Sequence, residues 1–168
     1  MRTVERATDT AVLEEVFAKI GTDFRGTLQE RMRIEFSEVT SQRVVARMPV
    51  AGNGRSFGML HGGASCVFAE TMATVGAALH APPGHLAIGI EISATHHRAV
   101  KAGQVTGVAT AVHLGRTLAS YDVVISDERE RRICTARVTC LVRPAKSLPV
   151  DAVEKSDGVS LDARSADS

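Results

Sequence analysis

Glu70 is the only Asp, Glu, Lys or Arg between Arg55 and Glu91, set in the run His61-Gly-Gly-Ala-Ser-Cys-Val-Phe-Ala-Glu-Thr-Met-Ala-Thr-Val-Gly-Ala-Ala-Leu79. A lone carboxylate on so apolar a helix is expected to be desolvated, at a cost of several kcal/mol unless something uses or bonds it. Beside apolar groups it could act as general base or nucleophile with a shifted pKa. Bonded to Thr74, one turn later, or to a neighbouring strand, it would be structural. Gly62 and Gly63 leave free N–H groups at the positive end of the same helix, which suits an oxyanion or a phosphate and equally suits close packing at a turn. Gly62 and Glu70 are eight residues apart, about 12 Å along a helix axis. If both act on one carbonyl, they come from two chains whose helices run antiparallel across a two-fold axis. Catalysis therefore predicts a dimer with its active sites at the interface.

The elements that must hold these groups follow from the periodicity. Residues 10–21 set Val12, Leu13, Val16, Phe17 and Ile20 at helical spacing, with Gly21 as a stop. Two strands, about 27–37 and 42–49, read as a hairpin, and the glycine-rich stretch 50–60 as a loop feeding the long helix 61–81. Pro82-Pro83-Gly84 ends that helix. Four strands follow, at 86–97, 104–114, 117–127 and 131–143. In the last, Cys134, Ala136, Val138, Cys140 and Val142 share one face. A helix apolar on nearly every side cannot face water, so the sheet must wrap it, and Ala64, Ala69, Ala73, Gly76 and Ala77 are small enough to allow close approach. The expected fold class is α+β, one domain over 11–143, with a tail at 1–10 and a polar, mobile tail at 144–168.

Composition narrows the function. In 168 residues, 20 Lys plus Arg nearly balance 19 Asp plus Glu, so no global field draws nucleic acid or an anionic membrane. The first residues lack a secretory signal and the longest apolar helix contains Glu70, which points to the cytoplasm. Cys66, Cys134 and Cys140 lack metal-type spacing, and two cysteines six residues apart on one strand lie roughly 20 Å apart, too far for a disulfide. They read as small buried hydrophobes in a reducing compartment.

From Phe57-Gly-Met-Leu-His-Gly-Gly-Ala-Ser-Cys-Val-Phe-Ala-Glu70 onward the chain resembles the hotdog-fold acyl-CoA thioesterases, in the helical-glutamate branch that includes the 4-hydroxybenzoyl-CoA, enterobactin-proofreading and 1,4-dihydroxy-2-naphthoyl-CoA enzymes. The likeness continues through Gly89-Ile-Glu-Ile, Ala94-Thr-His-His-Arg98, Gly103-Gln-Val-Thr-Gly107, His113-Leu-Gly-Arg116 and Ile133-Cys-Thr-Ala-Arg137. It implies a hotdog fold, a homodimer that pairs into a homotetramer, and hydrolysis of an aromatic acyl-CoA, or of the same group on a carrier protein, without metal or other cofactor. By the same resemblance Glu70 is the catalytic carboxylate, the Gly62 N–H holds the oxyanion, His61 positions the carbonyl and Thr74 orients the carboxylate or a water. Coenzyme A would be gripped by Gly63, Gly89, His96, His97, Arg98, Ala99, His113, Leu114, Gly115 and Arg116. Arginines suit its phosphates.

One position departs from the pattern. Six residues before His61 the branch carries glutamine, and this chain carries Arg55, which cannot accept a hydrogen bond. Either Asn53 substitutes, or Arg55 meets an anionic part of the substrate. Phe57, Met59, Phe68, Met72 and Val75 are candidate walls for the acyl group. His96 and His97, adjacent on a strand, should point to opposite faces, which argues against a metal site. Two other classes compete: a non-catalytic acyl-CoA-binding protein, which would need no acid in the helix, and a hydratase, whose motif is absent.

Overall fold

The structure is a computed structural model that describes Phe17 and residues 24–145. The tail at 1–10, most of the helix expected over 10–21 and residues 146–168 lie outside the described residues. Phe17 is helical, and its ring meets Phe24 and Phe36 edge-on at centroid distances of 5.1 and 5.2 Å.

The elements are α1 (Leu28–Arg31), β1 (Glu35–Val39), β2 (Arg43–Pro49), β3 (Gly54–Arg55), β4 (Met59–Leu60), α2 (Gly62–His80), β5 (His85–His96), β6 (Gln104–Leu114), β7 (Leu118–Asp127) and β8 (Arg132–Pro144). Six strands form one sheet in the order β1-β2-β6-β7-β8-β5, every pair antiparallel. The sheet packs around α2 as the periodicity predicts, which is the hotdog arrangement.

Two expectations need correction. The strand expected over 27–37 begins with the short helix α1, capped by Thr27 in extended conformation. Thr27-Leu-Gln-Glu30 has the Ser/Thr-x-x-Glu/Gln form of a helix start, and the Glu30 carboxylate accepts from the Gly26 N–H at 2.6 Å. The stretch 50–60 is not a bare loop, since β3 and β4 pair there. The hairpin is tied down at both ends. The Leu60 N–H donates to the Val100 carbonyl at 2.8 Å and the His61 N–H to the Asn53 carbonyl at 3.0 Å.

Helix α2 starts at His61, whose Nδ1 accepts from the Gly63 N–H at 2.8 Å. It ends at Ala81, extended as a residue before proline must be. Phe68, Ala69, Met72, Ala73 and Ala77 are fully buried against the sheet, with Val44, Met48, Tyr121, Val123 and Val138 opposite. Each large side chain so buried contributes about 1.5–3 kcal/mol. Gly76 allows a close approach, since a Cβ there would lie 2.9 Å from the Tyr121 ring. The Tyr121 hydroxyl donates to the Ser41 carbonyl at 2.8 Å and ties β7 to the β1–β2 turn.

Strand β8 alternates as expected, with Cys134, Ala136, Val138, Cys140 and Val142 buried. All three cysteines are free thiols. No described helix is long and apolar enough to cross a membrane.

Candidate active site

Glu70 lies midway along α2, beside the edge strand β5. Its carboxylate is exposed in the single chain and makes no hydrogen bond or ion pair among the described residues. The expected desolvation is therefore corrected: the gap between α1 and β5 leaves this side of α2 open, and water reaches the charge. The gap is a cavity of about 550 Å³ whose walls include Leu28, Val67, Val75, Leu86 and Ile88, with Thr74 and Gly89 beside the acid. Gly89 presses against the carboxylate, because a Cβ there would lie 2.5 Å from Glu70 Oε1. The resemblance assigned Gly89 to coenzyme A, and in this chain it makes room for the acid. The Thr74 hydroxyl lies 3.9 Å from the Cys140 sulfur and not on Glu70, so the structural bond considered for the glutamate is not made.

The thiols around the acid are held protonated. Burial pushes Cys66 up, with the Glu70 charge adding to it. Burial also raises Cys140 against a lowering hydrogen bond from Thr74, again helped by Glu70. Burial, with the neighbouring Cys66 adding to it, pushes Cys134 up to about 11. Neutral thiols such as Cys66 and Cys140 are poor nucleophiles.

The start of α2 forms a second pocket, of about 300 Å³, lined by Arg55, Met59, Gly62, Ser65, His96, His97 and Arg98 among others. The Ala64 and Ser65 N–H groups bond to the His61 carbonyl, and the Gly63 N–H to the His61 ring. The Gly62 N–H is thus the first-turn donor left without a partner among the described residues. Accepting at Nδ1 places the proton of a neutral His61 on Nε2, so the exposed ring offers a second donor. A Cβ on Gly62 would meet His96 Nε2 at 2.8 Å. The His97 Nε2 pairs with the Thr135 hydroxyl at 2.9 Å. The two rings meet different partners, His96 at the start of α2 and His97 on the β8 hydroxyl, while both residues line the same pocket. Among the described residues no group of three His, Cys, Asp or Glu is gathered as a metal would require.

The remaining candidates sit at the other end of α2. His113 and Leu114 close β6, Gly115 and Arg116 make the turn into β7, and the Gly115 carbonyl lies 3.0 Å from Nε2 of His80. That turn is roughly 27 Å along the helix from Gly62. One chain therefore gathers Arg55, Gly62, His96, His97, Arg98 and Ala99, holds Glu70, Thr74 and Gly89 apart from them, and places His113, Leu114, Gly115 and Arg116 beyond both.

Of the proposed acyl walls, Phe68 and Met72 are corrected to fully buried core. Val75 and Met59 line the two cavities, and Phe57 is 71% exposed. Asn53, considered above as a substitute for the glutamine, takes another role, and Ser65 escaped notice in the sequence. Asn53 is buried, its amide donating to the Met32 and Pro49 carbonyls at 2.9 and 2.8 Å, and so fixes the hairpin that carries Arg55. Ser65, buried in the wall of the smaller pocket, carried no spacing signal at all.

Comparison with known proteins agrees with this geometry. Residues 57–134 match the family model described as Thioesterase superfamily. The chain is 44% identical over 118 residues to the proofreading thioesterase EntH of Cronobacter turicensis, covering 70% of this chain and 86% of that one. It is 45% identical over 122 residues to the putative esterase ComA2 of Bacillus subtilis, covering 71% and 97%. Among solved structures, a mutant thioesterase from Pseudomonas aeruginosa superposes with a TM-score of 0.72 at 33% identity, over 83% of this chain and 99% of that one. A thioesterase from Haemophilus influenzae gives 0.69 at 32% identity, over 72% and 85%.

Proposed function

The chain belongs to the thioesterase superfamily, and from there we propose that it hydrolyses an aromatic acyl thioester, on coenzyme A or on the pantetheine arm of a carrier protein. The observation that carries the reading is an unpaired, accessible glutamate in an apolar cavity, in the same molecule as an unpaired helix-start N–H beside a histidine donor. The Gly62 N–H, with the His61 Nε2–H beside it, would hold the carbonyl oxygen as it becomes an oxyanion, the kind of donor that often dominates acyl transfer. Glu70 would attack the carbonyl carbon to give an anhydride that water then hydrolyses, or would take a proton from a water that attacks directly; in either route the C–S bond breaks, and one water supplies the hydroxyl of the acid and the proton of the thiol.

The 12 Å between these groups makes the acting Glu70 the partner subunit's. Strand β5 supports the dimer: it is twelve residues long, lies at the sheet edge, and exposes Ile90 and Ile92. An open apolar edge of that length is a template for pairing with a second copy. Pairing of dimers into a tetramer would bring the distant turn at His113–Arg116 toward a substrate whose phosphates Arg98 and Arg116 suit. The aromatic preference rests on the resemblance to enzymes that act on aromatic acyl groups, and a cavity of about 550 Å³ leaves room for such a group. The reading places the enzyme in the cytoplasm.

The test is thiol release from a panel of acyl-CoA esters and acyl carrier proteins. Turnover by the wild type, lost in Glu70→Gln, supports the proposal. Tight binding of acyl-CoA with no thiol released would make the chain a binding protein instead.

A further inference from the structure

The two cavities are complementary halves. The pocket at the start of α2 holds Arg55, Arg98, His96 and His97 and no acid, whereas the cavity around Glu70 holds that acid and no Lys or Arg. We propose that Arg55 is a positioning residue, pairing across the two-fold axis with the partner subunit's Glu70 and holding that carboxylate ionised and aimed at Gly62.

Three observations carry this. Asn53 is committed to the Met32 and Pro49 carbonyls and is not free to turn into the pocket. Arg55 is exposed on β3, its guanidinium carbon held 5.2 Å from the Phe57 ring centroid, and it bonds to no carboxylate among the described residues. Arg55 lines the same pocket of about 300 Å³ as Gly62. A partner's Glu70 that enters this pocket to approach the Gly62 N–H enters a space that Arg55 also lines.

The chemistry differs from that of a glutamine. A glutamine can hydrogen-bond a water or a carboxylate, whereas a guanidinium adds a full charge and two parallel donors that fit a carboxylate edge. Other groups facing Glu70 add no cation of that kind. Cys66 lies on its own helix, Cys140 on β8 and His85 on β5, while Leu28 and Gln29 of α1 are uncharged. On the Arg55 side the neighbouring cationic or titratable groups are His96, His97 and Arg98.

The pair is tested in the substrate-free, intact protein by titrating carbon-13-labelled glutamate by NMR, the Glu70 signal being the one lost in Glu70→Gln. In Arg55→Met its midpoint should rise by roughly 1–3 pH units, and in Arg55→Lys it should return most of the way. The acid limb of kcat/KM should move by the same amount, a readout that rests on the thioesterase reading. At a pH below that limb, mixed Arg55→Met and Glu70→Gln chains should regain activity, to about a quarter of the wild type, because a mixed dimer rebuilds one native site. A Glu70 midpoint unmoved in Arg55→Met overturns the pair. So does a rise in KM confined to thioesters with an anionic acyl group, which would make Arg55 a substrate contact. If no thioester is turned over, the functional reading fails, and the NMR titration alone decides the pair.

Discussion

At the scale of single residues, what distinguishes Glu70 is access rather than burial. Its carboxylate is open to water in one chain, and Gly89 is the residue that leaves it room. Gly89→Ala should therefore act on catalysis before stability: a methyl 2.5 Å from the acid displaces it, and misplacement of about 1 Å can cost ~10²-fold in rate. The expected outcome is a fall in kcat with thermal unfolding nearly unchanged, checked by steady-state kinetics and a melting curve. Glu70→Gln should lose ~10²-fold or more, because an amide is neither a nucleophile nor a base at neutral pH. The importance of Glu70 was legible in the sequence, since an isolated charge is visible without coordinates. The role of Gly89 was not, because its neighbour is nineteen positions away and reaches it from another element.

At the scale of elements, the helix–sheet contact rests on small residues of α2, among them Gly76. Gly76→Ala drives a methyl to 2.9 Å from the buried Tyr121 ring. Overpacking of this kind costs about 1–3 kcal/mol, which urea unfolding would show as a lower midpoint with little change in slope. The long helix and the last four strands were legible within a residue or two, because their periodicity is long and their stops are strong. Short pieces were not. Helix α1 spans four residues, too few for periodicity, and only the cap pattern of Thr27 and Glu30 announces it. Strands β3 and β4 exist because Asn53, Val100 and His61 tie the hairpin to other parts of the chain.

At the scale of the molecule, an exposed β5 edge and two cavities of opposite charge support the proposed dimer as the working unit. Ile92→Lys should block edge pairing, as lysines do on natural edge strands. It is expected to leave a folded monomer, seen by sedimentation, with little or no hydrolysis although both catalytic groups remain. Acid should weaken the fold in a definable window. A hydrogen bond from Arg137 holds Asp122 below the ordinary 3.8, and one from Arg131 does the same for Asp127 at the β7–β8 turn. The unfolded chain binds those protons more readily, so this stability is present above pH ~4 and is lost as pH falls through the lower folded values. Urea midpoints measured downward from pH ~5 should decline, and less steeply in Asp122→Asn. By itself the sequence determined the fold class, the helix and the sheet around it, the lone acid and the glycines at the helix start, and the distance that calls for a second chain if both groups act on one carbonyl. Those features are local patterns, or a distance measured along one helix. Only the tertiary structure decided that Glu70 is open to water, that Gly89 backs it, that Phe68 and Met72 are core, and that Asn53 is spent while Arg55 shares the pocket of Gly62. Each of these is a contact between elements far apart in the chain, and no periodicity records which side chains such elements bring face to face.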